Sequence, residues 1–148
     1  MHLPRLMLAA PASGSGKTMI TCGLLQAFLE RGLDPSAFKC GPDFIDPMFH
    51  RKIIGAPSRN LDPFFTDEET TRYLFASHAK EKGISVMEGV MGYFDGIGGS
   101  HIQASSYDLA CMTDTPVILI LNARGMSLSA VPWIQGFVEY EKKLGSRK

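Results

Sequence analysis

The sequence predicts an α/β fold in which a doubly wound, mainly parallel sheet carries helices on both faces. Short apolar runs without polar alternation recur along its 148 residues, and such runs are typical of strands covered on both faces. Segments of helical periodicity separate them, which favours parallel strands joined by helices. Ligands of such a sheet bind at the carboxyl ends of its strands.

The apolar runs predict about four strands. They lie at 6–10, 37–40, 84–87 and 117–121. A glycine-rich turn follows the first strand and leads into a helix that is expected to end at Gly32, since glycine commonly terminates helices in the left-handed conformation. Four strands are few for an open sheet of this kind. The chain is therefore expected to be an incomplete domain and a piece of a longer protein.

Three further helices are predicted. The first of them opens at 66–69 with Thr-Asp-Glu-Glu, a capping box in which the hydroxyl and the last carboxylate each accept a hydrogen bond from a free backbone N–H. It is expected to end near Gly83. The other two span about 105–112 and 127–143.

Residues 40–63 differ from the rest of the chain, because they carry several Gly and Pro and little periodicity. They are predicted to form a long irregular connection, and such a segment inside a compact domain is usually functional. Aromatic residues at its edges indicate that it is ordered. They are Phe44, Phe49, Phe64 and Phe65.

The composition excludes several classes of partner. Fifteen Lys and Arg balance fifteen Asp and Glu, so no net charge draws the chain to nucleic acid or to an anionic membrane. No apolar run approaches the roughly 18–20 residues of a spanning helix. Three widely spaced cysteines without a Cys-x-x-Cys pair fit reduced thiols. The sequence therefore predicts a cytoplasmic protein without nucleic-acid or membrane partners.

The segment Ala-Ser-Gly-Ser-Gly-Lys-Thr at 12–18 predicts a phosphate-binding loop. Backbone N–H groups of such a turn point at one anion, and the following helix adds its partial positive charge. Lys17 is expected to reach the β- and γ-phosphates of ATP, and Thr18 to offer its hydroxyl to Mg²⁺. The predicted nucleotide-binding residues are Ser13, Gly14, Ser15, Gly16, Lys17 and Thr18.

The loop departs in one place from the general pattern Gly-x-x-x-x-Gly-Lys-Ser/Thr, because Pro11 stands where the first glycine is expected. The Gly-Lys-Thr end is intact. The alternative is a flexible turn that only joins strand to helix, and the strand–loop–helix context favours the phosphate loop.

Carboxylates follow two predicted strands at the edge where a ligand is expected. Asp43 and Asp46 come after the second strand, and Glu88 comes after the third. Mg²⁺ takes one or two carboxylates together with phosphate oxygens and water. Glu88 is the best candidate, since a charge that directly continues a buried strand needs a partner. A solvated loop glutamate is its alternative.

Three other polar residues are weaker candidates. Lys39, at the end of the second strand, can neutralise a phosphoryl group, and a structural lysine is an equal alternative. Asp95 lies in an Asp-Gly pair, which is equally typical of a plain turn. His50 lacks metal-ligand spacing, so an exposed or core histidine is favoured.

Four segments carry a more specific signal. They are Ser-Gly-Ser-Gly-Lys-Thr at 13–18, Lys-Cys-Gly-Pro-Asp-Phe-Ile-Asp-Pro at 39–47, Arg-Asn-Leu-Asp at 59–62 and Met-Glu-Gly-Val-Met-Gly-Tyr-Phe-Asp-Gly at 87–96. Together they resemble the synthetase domain of the cobyrinic acid a,c-diamide synthase family. The second and fourth are the specific ones, because generic nucleotide binders do not carry Gly-Pro-Asp-x-x-Asp-Pro. The resemblance covers nearly the whole chain.

The resemblance implies a dethiobiotin-synthetase-like P-loop NTPase fold. Residues 1–148 would be the N-terminal part of an ATP-binding synthetase domain, with a C-terminal glutaminase domain in the full-length protein. The implied reaction, in cobalamin biosynthesis, amidates the a and c acetate carboxylates of cobyrinic or hydrogenobyrinic acid through an acyl phosphate. It uses ATP, Mg²⁺ and ammonia from glutamine. The corrinoid acid and the glutaminase domain are the implied partners, and a homodimer is compatible with the resemblance.

The resemblance also assigns roles to residues. Asp43, Glu88 and Asp95 match functional acidic positions, which raises Asp95 above a plain turn residue, and Asp46 lies near the metal. The segment 59–62 is assigned to substrate contact or loop ordering. The catalytic candidates are Lys17, Lys39, Asp43, Glu88 and Asp95, and the metal ligands are Thr18, Asp46 and Glu88.

Two departures from the family limit the resemblance. Asn122 and Arg124 follow the fourth strand where the family often has an aspartate and a lysine, so no role is carried over to them. None of the three cysteines lies in a Gly-x-Cys-x-Gly elbow of the glutaminase type. This stretch alone is therefore expected to lack glutamine hydrolysis and to be inactive or only partly active.

Other classes stay open. A related carboxylate-phosphorylating ligase, such as dethiobiotin synthetase or another tetrapyrrole amidotransferase, would use the same loop on another substrate. A ParA-like regulatory ATPase would normally place a second lysine at the start of the loop, where Pro11 and Ala12 offer none. A non-catalytic nucleotide-binding module is the third alternative.

Overall fold

Parallel strands form the centre of the fold. The computed structural model describes residues 3–145, and within them five strands make one sheet. The strands are β1 Arg5–Ala9, β2 Pro35–Cys40, β3 Ser58–Leu61, β4 Ile84–Glu88 and β5 Val117–Leu119. Their order across the sheet is β3-β2-β4-β1-β5, and every neighbouring pair is parallel.

Helices supply the crossovers that parallel strands need. The described part of the chain holds α1 Lys17–Glu30, α2 Ile45–Phe49, α3 Glu68–His78, α4 Ser106–Met112 and α5 Ala130–Gly145. A π-helical turn, His50–Ile54, continues α2, and a short 3-10 turn covers Ile97–Gly99. Among residues 3–145, no helix is both long enough and apolar enough to cross a lipid bilayer.

Both faces of the sheet are covered. Side chains alternate between the two faces of each strand, and two separate apolar clusters result. On one face, Phe38 clusters with Phe75 of α3 and Leu109 of α4. On the other face, Val86 clusters with Leu25 of α1. The predicted fold class, a doubly wound α/β sheet, is confirmed.

The expectation of an irregular segment at 40–63, and with it the count of four strands, is wrong. This segment contains α2, the π-helical turn and β3. The sequence Ser-Arg-Asn-Leu of β3 has no apolar run, because β3 lies at the edge of the sheet and exposes Arg59 and Asn60. Its backbone pairs with β2, a contact that hydrophobic periodicity does not report.

The end of α1 is confirmed, and other helix ends differ. Gly32 has a φ of 73°, and its N–H donates to the Leu29 carbonyl while the N–H of Leu33 donates to the Phe28 carbonyl. This is the usual glycine termination of a helix. In contrast, α3 ends at His78 rather than near Gly83, α5 begins at Ala130 rather than near 127, and β5 ends at Leu119 rather than at 121.

The predicted capping box of α3 is wrong. Asp67 caps the helix, and its carboxylate accepts a hydrogen bond of 2.9 Å from the N–H of Thr70. The Thr66 hydroxyl lies one residue too early and donates instead to the Asp62 carbonyl at 3.1 Å. Both Thr and Asp are good cap residues, so the sequence alone does not separate them.

Candidate functional site

A cleft of about 380 Å³ opens at the carboxyl ends of β1, β2 and β4. It lies between the glycine-rich loop that precedes α1 and the segment 88–91 at the end of β4. The lining consists of Ser13, Gly14, Gly16, Lys17, Thr18, Met19, Lys39, Glu88, Gly89, Val90 and Met91. Most of the residues predicted to bind a nucleotide therefore share one cleft with Lys39 and Glu88.

Two glycines give the loop its shape. Gly14 and Gly16 have φ values of 73° and 92°, a region that favours glycine. Gly16 is also the N-cap of α1, so the unpaired N–H groups of the first helical turn lie at the cleft. Ser15 is outside the lining, and its hydroxyl donates to the Ala12 carbonyl at 2.9 Å. The loop has the backbone that an anion site at a helix N-terminus requires.

Lys17 bridges the loop and the segment after β4. Its ammonium Nζ donates to the Ala12 carbonyl at 3.0 Å and to the Met91 carbonyl at 2.7 Å. Burial, with help from the charge of Lys39, lowers the pKa of Lys17. Met91 is a contributor that sequence reasoning missed, because it acts through its backbone, which adopts a positive φ of 48°.

A buried cluster of charges surrounds Lys39. Its Nζ lies 2.7 Å from Oδ2 of Asp46, 2.8 Å from Oε1 of Glu88 and 3.7 Å from Oδ2 of Asp43. Lys39 is 5% exposed and Glu88 is fully buried. Both residues are the last or next-to-last members of adjacent strands, and they are paired in the β2–β4 ladder. The sheet register itself therefore brings the ammonium and the carboxylate together.

Thr18 joins this cluster from the start of α1. Its hydroxyl donates to Oε1 of Glu88 at 2.5 Å and lies 3.3 Å from Oδ2 of Asp46. The three residues predicted as metal ligands are thus brought together. Asp43 stands at the rim, where its Oδ1 accepts a hydrogen bond of 2.8 Å from the N–H of Ile45.

The pKa values follow from burial and from these contacts. Burial raises the pKa of Glu88, although hydrogen bonds from Lys39 and Thr18 oppose this effect. For Asp46, burial is outweighed by its hydrogen bond with Lys39, and the pKa is lowered. Burial also acts against the charge of Lys39, but the hydrogen bonds to Asp46 and Glu88 prevail and raise its pKa. The cluster therefore holds a stable ammonium between carboxylates.

His50 lies behind Glu88 and is fully buried. Its Nδ1 is 3.3 Å from the Ser58 hydroxyl, and its Nε2 is 3.7 Å from Oε2 of Glu88. These last two atoms have no hydrogen-bond partner within the described residues. Burial lowers the pKa of His50, which favours a neutral ring. The sequence favoured a core or exposed histidine, and no spacing signal indicated that it lies against the site.

Asp95 lies apart from the charge cluster. Its Oδ2 accepts a hydrogen bond of 2.9 Å from the N–H of Gly92. A Cβ at Gly92 would come within 2.4 Å of that oxygen and 2.5 Å of the Pro11 carbonyl. Asp95 therefore fixes the turn after β4, and Gly92 in this turn lies too close to the Pro11 carbonyl to carry a side chain. The structure shows it as a turn carboxylate beside the cleft, and a direct catalytic role stays a prediction.

The segment 59–62 orders the loops around the site. The side-chain amide of Asn60 donates to the carbonyls of Gly41 and Asp43, which holds the backbone that carries Asp43. Leu61 belongs to the apolar core. Oδ1 of Asp62 accepts a hydrogen bond from the N–H of Phe64 in the turn that follows β3. Of the two roles expected for this segment, the structure shows loop ordering.

The donor atoms at Thr18, Asp46 and Glu88 suit Mg²⁺, because all are oxygens and Mg²⁺ prefers such ligands. Across residues 3–145, no group of three or more His, Cys, Asp or Glu side chains is arranged to hold a metal ion. A Mg²⁺ here would therefore complete its coordination with phosphate oxygens and water, as it usually does in nucleotide sites.

The fold and the cleft define a class of protein, the α/β nucleotide-binding domains. A parallel sheet, a glycine-rich loop between its first strand and helix, and a buried lysine–carboxylate pair at the strand ends are all present. Residues 6–127 match the model of one family in this class, the CobQ/CobB/MinD/ParA nucleotide binding domain. The chain belongs to this family.

Curated relatives agree with the resemblance. A cobyrinate a,c-diamide synthase of Thermoplasma acidophilum is 42% identical over 97% of this chain, and one of Listeria innocua is 43% identical over 95%. A hydrogenobyrinate a,c-diamide synthase of Streptomyces coelicolor is 41% identical over 96%. The predicted similarity to this group is confirmed. The chain spans 32%, 31% and 29% of the length of these three relatives.

Proposed function

We propose that this chain is the nucleotide-binding part of an ATP- and Mg²⁺-dependent ligase that amidates the a and c acetate carboxylates of cobyrinate or hydrogenobyrinate. Ammonia would come from glutamine through a glutaminase domain on the same protein. The observation that carries the proposal is the single cleft that joins Lys17 to the buried pair Lys39 and Glu88. The names of the relatives supply the substrate class.

The proposed reaction has two steps. A carboxylate oxygen of the substrate attacks the γ-phosphorus of ATP, so that a new O–P bond forms, the bond to the β-phosphate oxygen breaks and ADP leaves. The nitrogen of ammonia then attacks the carbonyl carbon, inorganic phosphate leaves and the nitrogen loses a proton. Neither step needs a protein nucleophile, because phosphoryl transfer depends mainly on positioning and charge neutralisation.

Different residues of the cleft would serve different parts of this reaction. Lys17 and the N–H groups at the start of α1 would hold the phosphates. Thr18, Asp46 and Glu88 would hold Mg²⁺, which neutralises phosphate charge when it is bound. Lys39, whose ammonium already lies between Asp46 and Glu88, keeps these carboxylates oriented and reduces their repulsion of the substrate.

The central experiment measures ADP formation by the full-length enzyme with ATP, Mg²⁺ and cobyrinate or hydrogenobyrinate. We expect turnover to require the corrinoid acid, and a diamide to form when glutamine or ammonia is added. Lys17→Ala should lower turnover at least about a hundredfold, since it removes a charged donor from the phosphates. Glu88→Gln should mainly raise the Mg²⁺ concentration needed for activity.

The matched control is Lys82→Ala, which removes an exposed lysine at the amino end of β4, far along the strand from the cleft. It should leave turnover unchanged. ATP turnover that is equally fast without any carboxylic acid, or stimulation by DNA or membranes, would refute the ligase and favour a regulatory ATPase. Faster turnover with a different carboxylic acid would indicate a related ligase.

A further inference from the structure

A second hollow, of about 430 Å³, adjoins the cleft. Val90 and Met91 belong to the walls of both. Phe64, Phe65 and Ile97 line this second hollow but not the cleft. The segment after β4 therefore separates a polar cavity, lined by the phosphate loop and charged side chains, from a largely apolar one.

The two phenylalanines are exposed, and their backbone is held in place. Phe64 is 61% exposed and Phe65 is 73% exposed, and their rings meet edge to face with centroids 4.9 Å apart. Oδ1 of Asp62 accepts a hydrogen bond of 3.0 Å from the N–H of Phe64. The Asp62 carbonyl accepts another of 3.0 Å from the N–H of Phe65. An ordered turn thus presents a pair of aromatic rings to solvent.

We propose that this hollow binds the ring body of the carboxylic acid substrate, the part that does not react. The inference rests on the proposed function. The reacting carboxylate has to lie beside the γ-phosphate, but the cleft is lined for phosphates, so a large ring has to lie outside it. The apolar hollow is the neighbouring space, because it shares Val90 and Met91 with the cleft, and the acetate side chain would reach across these two residues.

The chemistry of the hollow and that of the substrate ring fit this arrangement. The ring body of the substrate offers apolar surface, which packs well on aromatic side chains such as Phe64 and Phe65. Ile97, which is 38% exposed, adds apolar surface to the same hollow. Binding energy from the ring would hold the carboxylate in position for attack, which is how remote contacts contribute to catalysis.

The test compares kinetic constants of the full-length enzyme and its variants Phe64→Ala, Phe65→Ala and the double variant. We expect each single change to raise the KM for cobyrinate roughly tenfold, by loss of about one aromatic contact. The KM for ATP and the affinity for ATP, measured by calorimetry, should stay within about twofold. Unchanged ATP binding also shows that the variants are folded.

The matched control is Tyr73→Ala on α3, which removes an aromatic ring that is 71% exposed and lines neither cavity. Its KM for cobyrinate should not change. If the double variant keeps the KM of the unmodified enzyme, the inference is wrong while the proposed ligase stands. If the unmodified enzyme binds ATP but neither binds nor converts a corrinoid acid, the proposed function and this inference both fail.

Discussion

Two neighbouring residue pairs of the β2–β4 ladder, called rungs below, are equally buried, but one is apolar and the other is charged. Phe38 pairs with Met87 in one rung, and Lys39 pairs with Glu88 in the next. None of the four residues is more than 5% exposed. Because successive side chains point to opposite faces, the first rung meets α3 and α4, whereas the second meets Thr18 and the phosphate loop. Burial alone therefore does not indicate what a rung does.

The two rungs differ in what they contribute to stability. Phe38 packs edge to face on Phe75 with ring centroids 5.2 Å apart, and such burial stabilises the fold directly. Lys39 and Glu88 must be stripped of water, and their attraction barely offsets that cost. A polar rung of this kind is expected where it serves a ligand, and it lies in the wall of the cleft.

The largest effect on stability is expected from the apolar rung. Phe38→Ala should lower the free energy of unfolding by about 3–5 kcal/mol, as for other buried aromatic truncations. Urea denaturation measures this loss. ATP affinity of the variant that remains folded should change less than about twofold, since Phe38 faces away from the cleft. A large loss of ATP affinity would show that the two rungs are not independent.

A somewhat smaller loss is expected from the polar rung. Lys39→Met keeps the buried stem but removes the cation, and breaking a buried ion pair costs about 3 kcal/mol. Because burial already raises the pKa of Glu88, this carboxylate can take up a proton, which limits the cost. Activity, in contrast to Phe38→Ala, should fall sharply.

A double variant sharpens this test. If Lys39 and Glu88 act as a pair, Lys39→Met with Glu88→Gln should be less destabilised than the sum of the two single variants, by roughly 1–3 kcal/mol. Strict additivity of the two losses would mean that each residue is stabilised by other neighbours.

The smallest expected effect depends on pH and comes from His50 behind the polar rung. Burial holds the pKa of His50 below its ordinary value, so the unfolded chain binds a proton more readily than the folded one. The contribution of His50 to stability is thus complete well above the ordinary histidine pKa of about 6.5 and declines as the pH falls through that value, by at most about 1.4 kcal/mol per pH unit. Urea denaturation of wild type and His50→Gln across this range should show that the variant lacks this part of the pH-dependent loss of stability.

Sequence patterns predicted the fold class and the position of the cleft, because both depend on local periodicity and on a contiguous motif. The glycine-rich loop at 12–18 and the helix termination at Gly32 are local features of this kind. Lys39 and Glu88 were each predicted as candidates. Their direct pairing depends on strand register, which the sequence does not report.

Other features escaped prediction for related reasons. β3 is stabilised at the sheet edge by backbone pairing, so its polar sequence looks like a loop. The contact between His50 and Glu88 joins distant parts of the chain through a π-helical turn. The carbonyl of Met91 acts on Lys17 irrespective of the side chain at that position. In all three, the missing information is tertiary contact.

The contacts of Lys17 affect the rate and the affinity with which the cleft binds an anion. Two carbonyls of the protein hold its ammonium, and the residue is only 8% exposed. A lysine carries about 2 kcal/mol of rotamer entropy, and here that freedom is lost on folding rather than on binding. A phosphate therefore meets a preorganised cation, and association requires an exchange of acceptors at Nζ instead of a search by a mobile side chain.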